Sequence, residues 1–138
     1  MKQIILFILL VFVYTGCSSS NNNVGISKVY QSDYPQGISM ILGNSELQKN
    51  IKILDARLVN GQYKKQIQFT LSNISKYNYN LKITPQWSDS QGSIILASTK
   101  YKLIKVNKNS LKRVILKAPN SKAKNILLNI ECAQNCKE

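Results

Sequence analysis

The sequence contains no histidine and only six acidic residues, against 19 lysines and arginines. Histidine and positioned carboxylates carry most general acid–base catalysis, and hydrolytic metal sites are built from histidine or from clustered carboxylates. No two of the six acids lie close enough in the sequence to suggest such a site. These absences argue against an enzyme, and the sequence predicts no catalytic residue, no metal site and no cofactor.

A long apolar run is also missing, because residues 4–14 are too few for a transmembrane helix, which needs about 20 apolar residues. This run follows Lys2 and ends in Thr15-Gly16-Cys17, the pattern of an export signal. The junction at Gly16 and Cys17 resembles the lipobox of bacterial lipoproteins, in which the cysteine receives a diacylglyceryl thioether. We therefore expect cleavage before Cys17 and lipidation of Cys17, in preference to an ordinary secretory signal.

The chain then divides into three parts. Residues 1–16 are the lipoprotein signal peptide, and residues 17–28 are a lipidated flexible tether of small and polar residues. Residues 29–138 are long enough for a single domain with its own core. Ser18 occupies the position after Cys17 where an aspartate retains many Gram-negative lipoproteins in the inner membrane. The expected location is therefore the outer membrane, with the domain facing the periplasm and the lipid providing the membrane contact.

Lipidation of Cys17 leaves two of the three cysteines, Cys132 and Cys136, in the segment Cys-Ala-Gln-Asn-Cys. Cysteines of exported proteins tend to pair in an oxidising compartment, so a structural disulfide is predicted. Two free thiols are the first alternative. A redox pair would more usually have the spacing Cys-x-x-Cys, and a metal site would need other soft ligands.

Basic residues are unevenly distributed, because no acid lies between Asp89 and Glu131. A basic surface attracts anionic partners, which in the cell envelope are phospholipid headgroups, lipopolysaccharide phosphates or acidic glycans and not nucleic acid. Alternatively, these lysines only solvate the outer faces of strands and prevent edge-to-edge aggregation. The candidate basic patch consists of Lys100, Lys102, Lys105, Lys112 and Arg113.

A period of two dominates the chain from residue 51 onward and predicts strands, whereas residues 29–50 have no decisive pattern. Asn60-Gly61 predicts a two-residue hairpin turn of type I′, which requires positive φ at both positions. Pro85 is expected at a bulge, an edge or a strand end, because it donates no backbone hydrogen bond. Six or seven strands separated by turns indicate a β-sandwich.

Four segments resemble, in order and spacing, the YcfL-like family of small bacterial outer-membrane lipoproteins. They are residues 53–61, residues 66–73, the turn at residues 87–92 and residues 116–119. The resemblance implies an immunoglobulin-like β-sandwich of about six or seven antiparallel strands on the periplasmic side of a Gram-negative outer membrane. It implies no reaction.

Trp87, the only tryptophan, is expected to fill the space between the sheets, while Asp89 and Gly92 form a turn. The alternative is a glycan-binding platform built on Trp87 and Asp89. The sequence as a whole predicts a non-enzymatic binding or scaffolding module of the cell envelope, bound to another envelope protein or to an anionic glycan or lipid. The alternative function is a surface-exposed adhesin or antigen.

Overall fold

A computed structural model describes residues 29–30, 34–96 and 100–137 of the chain. The predicted signal peptide, Cys17 and the tether lie outside these residues. The described part includes no helix with the length and hydrophobicity that a bilayer crossing requires. Its elements are β1 (Val29–Tyr30), β2 (Ile38–Leu42), α1 (Ser45–Asn50), β3 (Ile51–Asn60), β4 (Lys65–Asn73), β5 (Tyr79–Ser88), β6 (Ile94–Ile95), β7 (Lys102–Val106), β8 (Ser110–Lys117) and β9 (Asn125–Lys137).

The strands form two sheets that share one hydrophobic core, so the predicted all-β sandwich is confirmed. The six-stranded sheet has the order β1-β2-β9-β5, and β6 and β7 both pair with the remaining side of β5. The three-stranded sheet has the order β3-β4-β8. The described strands number nine rather than six or seven, because two of them have only two residues and so no readable period. The β2–β9 pair is parallel and the other pairs of the described strands are antiparallel.

The core follows the alternation of the long strands. In β4, Ile67, Phe69 and Leu71 are buried between the sheets, and in β5 the indole of Trp87 is only 1% exposed. Trp87 therefore fills the core as predicted, and its ring offers no face to a sugar, so the alternative of a glycan platform on this residue is wrong. Asp89 shapes the turn instead, since its Oδ1 accepts hydrogen bonds from two backbone N–H groups within residues 91–93.

Pro85 lies in the middle of β5, opposite Leu128 of β9. On the other side of β5, pairing with β7 ends at Ile83, and pairing with β6 begins at Trp87. Pro85 therefore occupies a gap between two partner strands, where a missing N–H breaks no ladder. At this gap β5 is locally an edge strand, one of the positions that we predicted for Pro85.

The predicted type I′ turn at Asn60-Gly61 is wrong. Neither residue has positive φ, and Asn60 pairs with Lys65 across a four-residue loop. Gly61 donates to the carbonyl of Lys64 at 2.9 Å. A Cβ at position 61 would lie 2.7 Å from that carbonyl oxygen, so glycine is needed here for close approach and not for a positive φ.

Helix α1 has six residues, too few to show a helical period in the sequence. It begins after Asn44, whose Oδ1 accepts a hydrogen bond from the N–H of Leu47 at 2.8 Å. Leu47 is fully buried and fixes the helix on the sandwich. The helix leads directly into β3, so it positions the start of the three-stranded sheet.

Candidate functional site

The outer face of the three-stranded sheet carries cationic and aliphatic side chains and only one described acid. Register places Thr70 between Leu54 and Arg113, and Gln68 between Arg57 and Ile115. Leu54, Leu111 and Ile115 are among the exposed large hydrophobic residues of the domain. We call this surface the basic face, and it consists of Lys52, Leu54, Arg57, Val59, Gln66, Gln68, Thr70, Ser72, Leu111, Arg113, Ile115 and Lys117, together with Asp55 of the bulge in β3.

Arg57 and Arg113 meet at the centre of the basic face, and they are the only arginines of the chain. The Nη2 atom of Arg57 donates to Oε1 of Gln68 at 3.4 Å, and Nη2 of Arg113 donates to the same oxygen at 3.3 Å. One neutral acceptor thus holds two guanidinium groups from different strands. The ion pairs of the described residues join other groups, namely Lys82 with Glu131 and Lys137 with Glu46.

A β-bulge at Asp55 brings Arg57 to this face. Leu54 pairs with Thr70 and Arg57 pairs with Gln68, so Asp55 and Ala56 together stand opposite one residue of β4. Asp55 takes up the extra residue at φ 54°, a conformation that aspartate tolerates better than most residues. Ala56 is consequently buried and Arg57 exposed, the reverse of what strict alternation after Leu54 would give.

The two arginines border a depression with a volume of about 310 Å³. Gln68, Thr70 and Asp55 are the other polar residues of its lining. Guanidinium groups in such a setting can bind an oxyanion through several charge-assisted hydrogen bonds. The depression is open to solvent and lies on paired strands, so it is a binding surface rather than an enclosed reaction chamber.

The predicted basic patch does not form one surface. Lys105 lies on the outward side of β7 in the six-stranded sheet, whereas Arg113 lies on the outer face of the three-stranded sheet. Lys102 and Lys112 alternate with the outward-facing residues of their strands, so neither lies on an outer face of the sandwich. Both are nevertheless exposed, because they lie near strand ends on the side of the sandwich where β7 and β8 are in contact. Lys100 precedes β7 and is exposed. Of the five predicted residues, only Arg113 belongs to the basic face.

No pattern in the sequence points directly to Arg57 as a partner of Arg113. The two residues lie on strands that are separated by β4, and the bulge at Asp55 reverses the parity that would have placed Arg57. The alternation of Leu111, Arg113, Ile115 and Lys117 in β8 is the one readable signal, because it puts cations and aliphatic residues on the same side.

Cys132 and Cys136 form a disulfide in the structure, with their Cα atoms 4.9 Å apart. Leu81 pairs with Cys132 and Tyr79 pairs with Lys137, so residues 133–136 of β9 bulge out opposite a single residue of β5. The disulfide closes the neck of this bulge. This arrangement is that of a structural crosslink at the end of a strand.

A second polar cluster joins α1 and the start of β5 to the end of β9. The hydroxyl of buried Tyr79 donates to Oε1 of Glu46 at 2.9 Å and accepts from Asn50 at 3.0 Å. Lys137 donates to the same Glu46 oxygen at 2.8 Å. The hydrogen bond from Lys137 lowers the pKa of Glu46, and the same bond raises the pKa of Lys137. Burial raises the pKa of Tyr79.

All three shifts move the pKa values of Glu46, Tyr79 and Lys137 further from 7. The cluster is therefore not suited to exchange protons near pH 7. It ties α1 to the end of β9. Within residues 29–30, 34–96 and 100–137, no three acidic or cysteine side chains come together as a metal site would need.

Comparison with known proteins places the fold among small bacterial proteins. The crystal structure of a DUF1425 family member from Shewanella sp. pv-4 matches with a TM-score of 0.55 and 16% identity, over 62% of this chain and 80% of that one. The crystal structure of Campylobacter jejuni cj0090 matches with a TM-score of 0.52 and 15% identity, over 68% of this chain and 97% of that one. No family model and no curated protein matches the sequence. At these identities the likeness concerns the fold, and the chain shares its β-sandwich with these two proteins.

Proposed function

We propose that this protein is a lipid-anchored, non-enzymatic binding module of the cell envelope and a member of the YcfL-like lipoproteins. Residues 1–16 direct export, Cys17 carries the lipid, and the domain faces the periplasm from the outer membrane. The signal pattern around Cys17, the absence of histidine and the fold shared with the DUF1425 family member from Shewanella support this proposal.

The observation that carries the binding role is the charge of the basic face. Four cations (Lys52, Arg57, Arg113 and Lys117) share it with the single described acid Asp55. The outer face of the six-stranded sheet is more balanced, since Lys82 lies 3.9 Å from Glu131 there. The two faces of the sandwich are therefore electrostatically different, and the basic face is the one suited to an anionic partner.

The partner that fits this face is the anionic lipid surface to which the anchor holds the domain. Exposed aliphatic side chains beside cations suit a membrane interface. The aliphatic side chains enter the headgroup layer, and the cations contact the lipid phosphates. Leu54, Leu111 and Ile115 provide such side chains. A tether of about a dozen residues keeps the bilayer at high effective concentration, so even weak contacts of the face would be occupied.

Lysine footprinting on the lipidated full chain tests the binding role without any substitution. The protein is reconstituted in vesicles of neutral lipid or of lipid that contains phosphatidylglycerol, and a water-soluble amine reagent is quantified at each lysine by mass spectrometry. We expect Lys52 and Lys117 to react more slowly on the anionic vesicles, while Lys105 on the other sheet reacts equally on both. Equal reactivity of Lys117 on the two vesicles would contradict membrane docking and would favour a protein or glycan partner.

The anchor has its own test. A Cys17→Ser change should abolish labelling by radioactive palmitate and release the domain from the membrane fraction. Protease added to intact cells should leave the wild-type domain uncut and should cut it after the outer membrane is permeabilised. Cleavage on intact cells would instead support the surface-exposed adhesin.

A further inference from the structure

We infer that Arg57 and Arg113 form a clamp for one phosphodiester group, with Thr70 as an additional hydrogen-bonding residue. The inference rests on the proposed function in so far as it names the chemical group that the basic face binds. It starts from the two guanidinium groups that share Oε1 of Gln68 at 3.4 and 3.3 Å.

Two like charges held near one neutral acceptor repel each other. No described carboxylate lies within ion-pair distance of either guanidinium, because the ion pairs of the described residues involve Lys82 and Lys137. An oxyanion between the two groups would remove this repulsion and accept hydrogen bonds from both. Guanidinium presents several N–H donors in a plane that matches phosphate oxygens.

The lining of the depression also limits the charge of the ligand. Arg57 and Arg113 contribute two positive charges and Asp55 one negative charge to the same depression. The lining residues thus carry one net positive charge, which a monoanion neutralises, while Lys52 and Lys117 lie on the same face outside this lining. A phosphodiester has one negative charge, whereas a phosphate monoester has close to two near neutral pH.

The backbone fixes the geometry of the clamp. Arg113 lies directly opposite Thr70 of β4, and Arg57 directly opposite Gln68, so both arginines project from paired strands and not from loops. The bulge at Asp55 sets the side on which Arg57 emerges. The strands therefore fix the backbone positions from which both arginine side chains reach the ligand, which lowers the ordering cost of binding compared with groups on mobile segments.

The two arginines give a direct readout, because the full chain has only two arginine Nε–Hε groups. The ¹⁵N-labelled, lipidated protein in neutral detergent micelles is titrated with glycerophosphoglycerol, the free headgroup of phosphatidylglycerol. We expect both arginine signals to shift together and to saturate with one dissociation constant. A parallel series with bicelles of phosphatidylglycerol tests the lipid itself. A response to the bicelles without a response to the free headgroup would overturn the assignment to the phosphodiester.

Three variants make the test specific. Arg113→Lys should weaken binding about tenfold or more, because it loses charge-assisted hydrogen bonds while keeping the charge. Lys122→Gln, exposed between β8 and β9 and outside the basic face, should change affinity by less than about threefold, because its effect is only that of a screened surface charge. Unchanged affinity in Arg113→Lys, or a loss in Lys122→Gln as large as the loss in Arg113→Lys, would show diffuse charge attraction and would overturn the clamp.

Gln68→Glu keeps the shape of the shared acceptor and supplies an internal anion to both arginines. It should abolish the shift with glycerophosphoglycerol without lowering the thermal midpoint, so a folding defect cannot explain the loss. Unchanged binding in this variant would overturn the clamp. If the arginines bind the headgroup but Lys117 is not shielded on vesicles, the proposed membrane docking fails and the clamp stands. If Lys117 is shielded on vesicles but the arginines do not bind the headgroup, the proposed docking stands and the clamp fails.

Discussion

At the scale of single residues, Gln68 shows how a neutral side chain can hold two cations in place. Its amide oxygen accepts from Arg57 and Arg113, which reach it from the strands on either side. The sequence identified Arg113 as part of a basic segment, but a single sequence does not reveal which residue on a distant strand faces it. Tertiary pairing supplies that information, and here it depends on the register of β4 with both neighbours.

Asn73 is a second residue whose role is visible only in the structure. It is 1% exposed, and its Nδ2 donates to the carbonyls of Tyr77, Val106 and Asn107 while Oδ1 accepts from the N–H and hydroxyl of Ser75. It thereby connects the turn after β4 with the turn between β7 and β8.

We predict that Asn73→Ala lowers the free energy of unfolding by about 2–4 kcal/mol, because it leaves several buried backbone groups without partners. Urea denaturation followed by tryptophan fluorescence measures this directly, since the single Trp87 lies in the core. The exposed Asn60→Ala is the matched control and should change stability by no more than about 0.5 kcal/mol. Equal effects of the two changes would show that the network around Asn73 is not important for stability.

The pair of Glu46 and Lys137 leads to a prediction about pH. The pKa of Glu46 in the folded protein lies below its ordinary value of 4.5, chiefly because of the hydrogen bond from Lys137. Its contribution to stability is therefore present above pH 4.5 and is lost as the pH falls through the lower folded value. The pKa of Lys137 is raised above 10.5, so the contribution of the lysine is present below that pH and is lost as the pH rises further.

We expect Glu46→Gln to be less stable than the wild type at pH 7, and the difference to shrink as the pH falls well below 4.5. Urea midpoints of both proteins along a pH series measure this. A difference that stays constant over the acid range would show that the stabilisation does not come from the charged form of Glu46.

At the scale of elements, prediction from the sequence succeeded where a strand is long and buried on one face. In β4 and β5 the alternation of apolar and polar residues identifies both the strand and its inward side. The two-residue strands β1 and β6 have no such alternation, and the six residues of α1 are too few for a helical period. The parallel pairing of β2 with β9 joins distant segments and leaves no local signal.

The bulges of β3 and β9 are the elements that position groups of interest, and neither was predicted. In β3 one extra residue at Asp55 determines the orientation of Arg57. In β9 the bulge begins after Cys132 and ends at Cys136, the two cysteines that the sequence had already suggested as a pair. The pairing remains a prediction for the protein in the cell.

We predict that the exported, lipidated protein has no free thiol under denaturing conditions and gains two after reduction. Cys17 would contribute none, because the proposed lipidation would place its sulfur in a thioether. Thiol titration with and without dithiothreitol measures this. Since the disulfide closes a loop of only a few residues, Cys132→Ser with Cys136→Ser should cost about 2 kcal/mol or less. Two thiols before reduction would contradict the crosslink.

At the scale of the whole molecule, the sandwich has two unlike outer faces, and this difference was hidden in the sequence. The basic stretch around residues 100–117 runs through β7 and β8, which belong to different sheets. Its residues therefore separate in space, with Lys105 on one outer face and Arg113 on the other. The sequence predicted that the protein is basic, anchored and built of strands, but the topology determines which face collects the charge.

The central claim is that the basic face docks on the anionic lipid surface beside the anchor. Leu111 and Leu103 provide a matched pair of positions, because they are 66% and 62% exposed and lie on the outer faces of different sheets. Leu111→Cys and Leu103→Cys are labelled, without reduction of the disulfide, with a fluorophore whose emission reports the polarity of its surroundings. The lipidated proteins are then placed in neutral vesicles or in vesicles that contain phosphatidylglycerol. We expect a blue shift at position 111 on the anionic vesicles alone, reversed by high salt, and no change at position 103. The same emission at position 111 on both kinds of vesicle, or an equal shift at position 103, would contradict it.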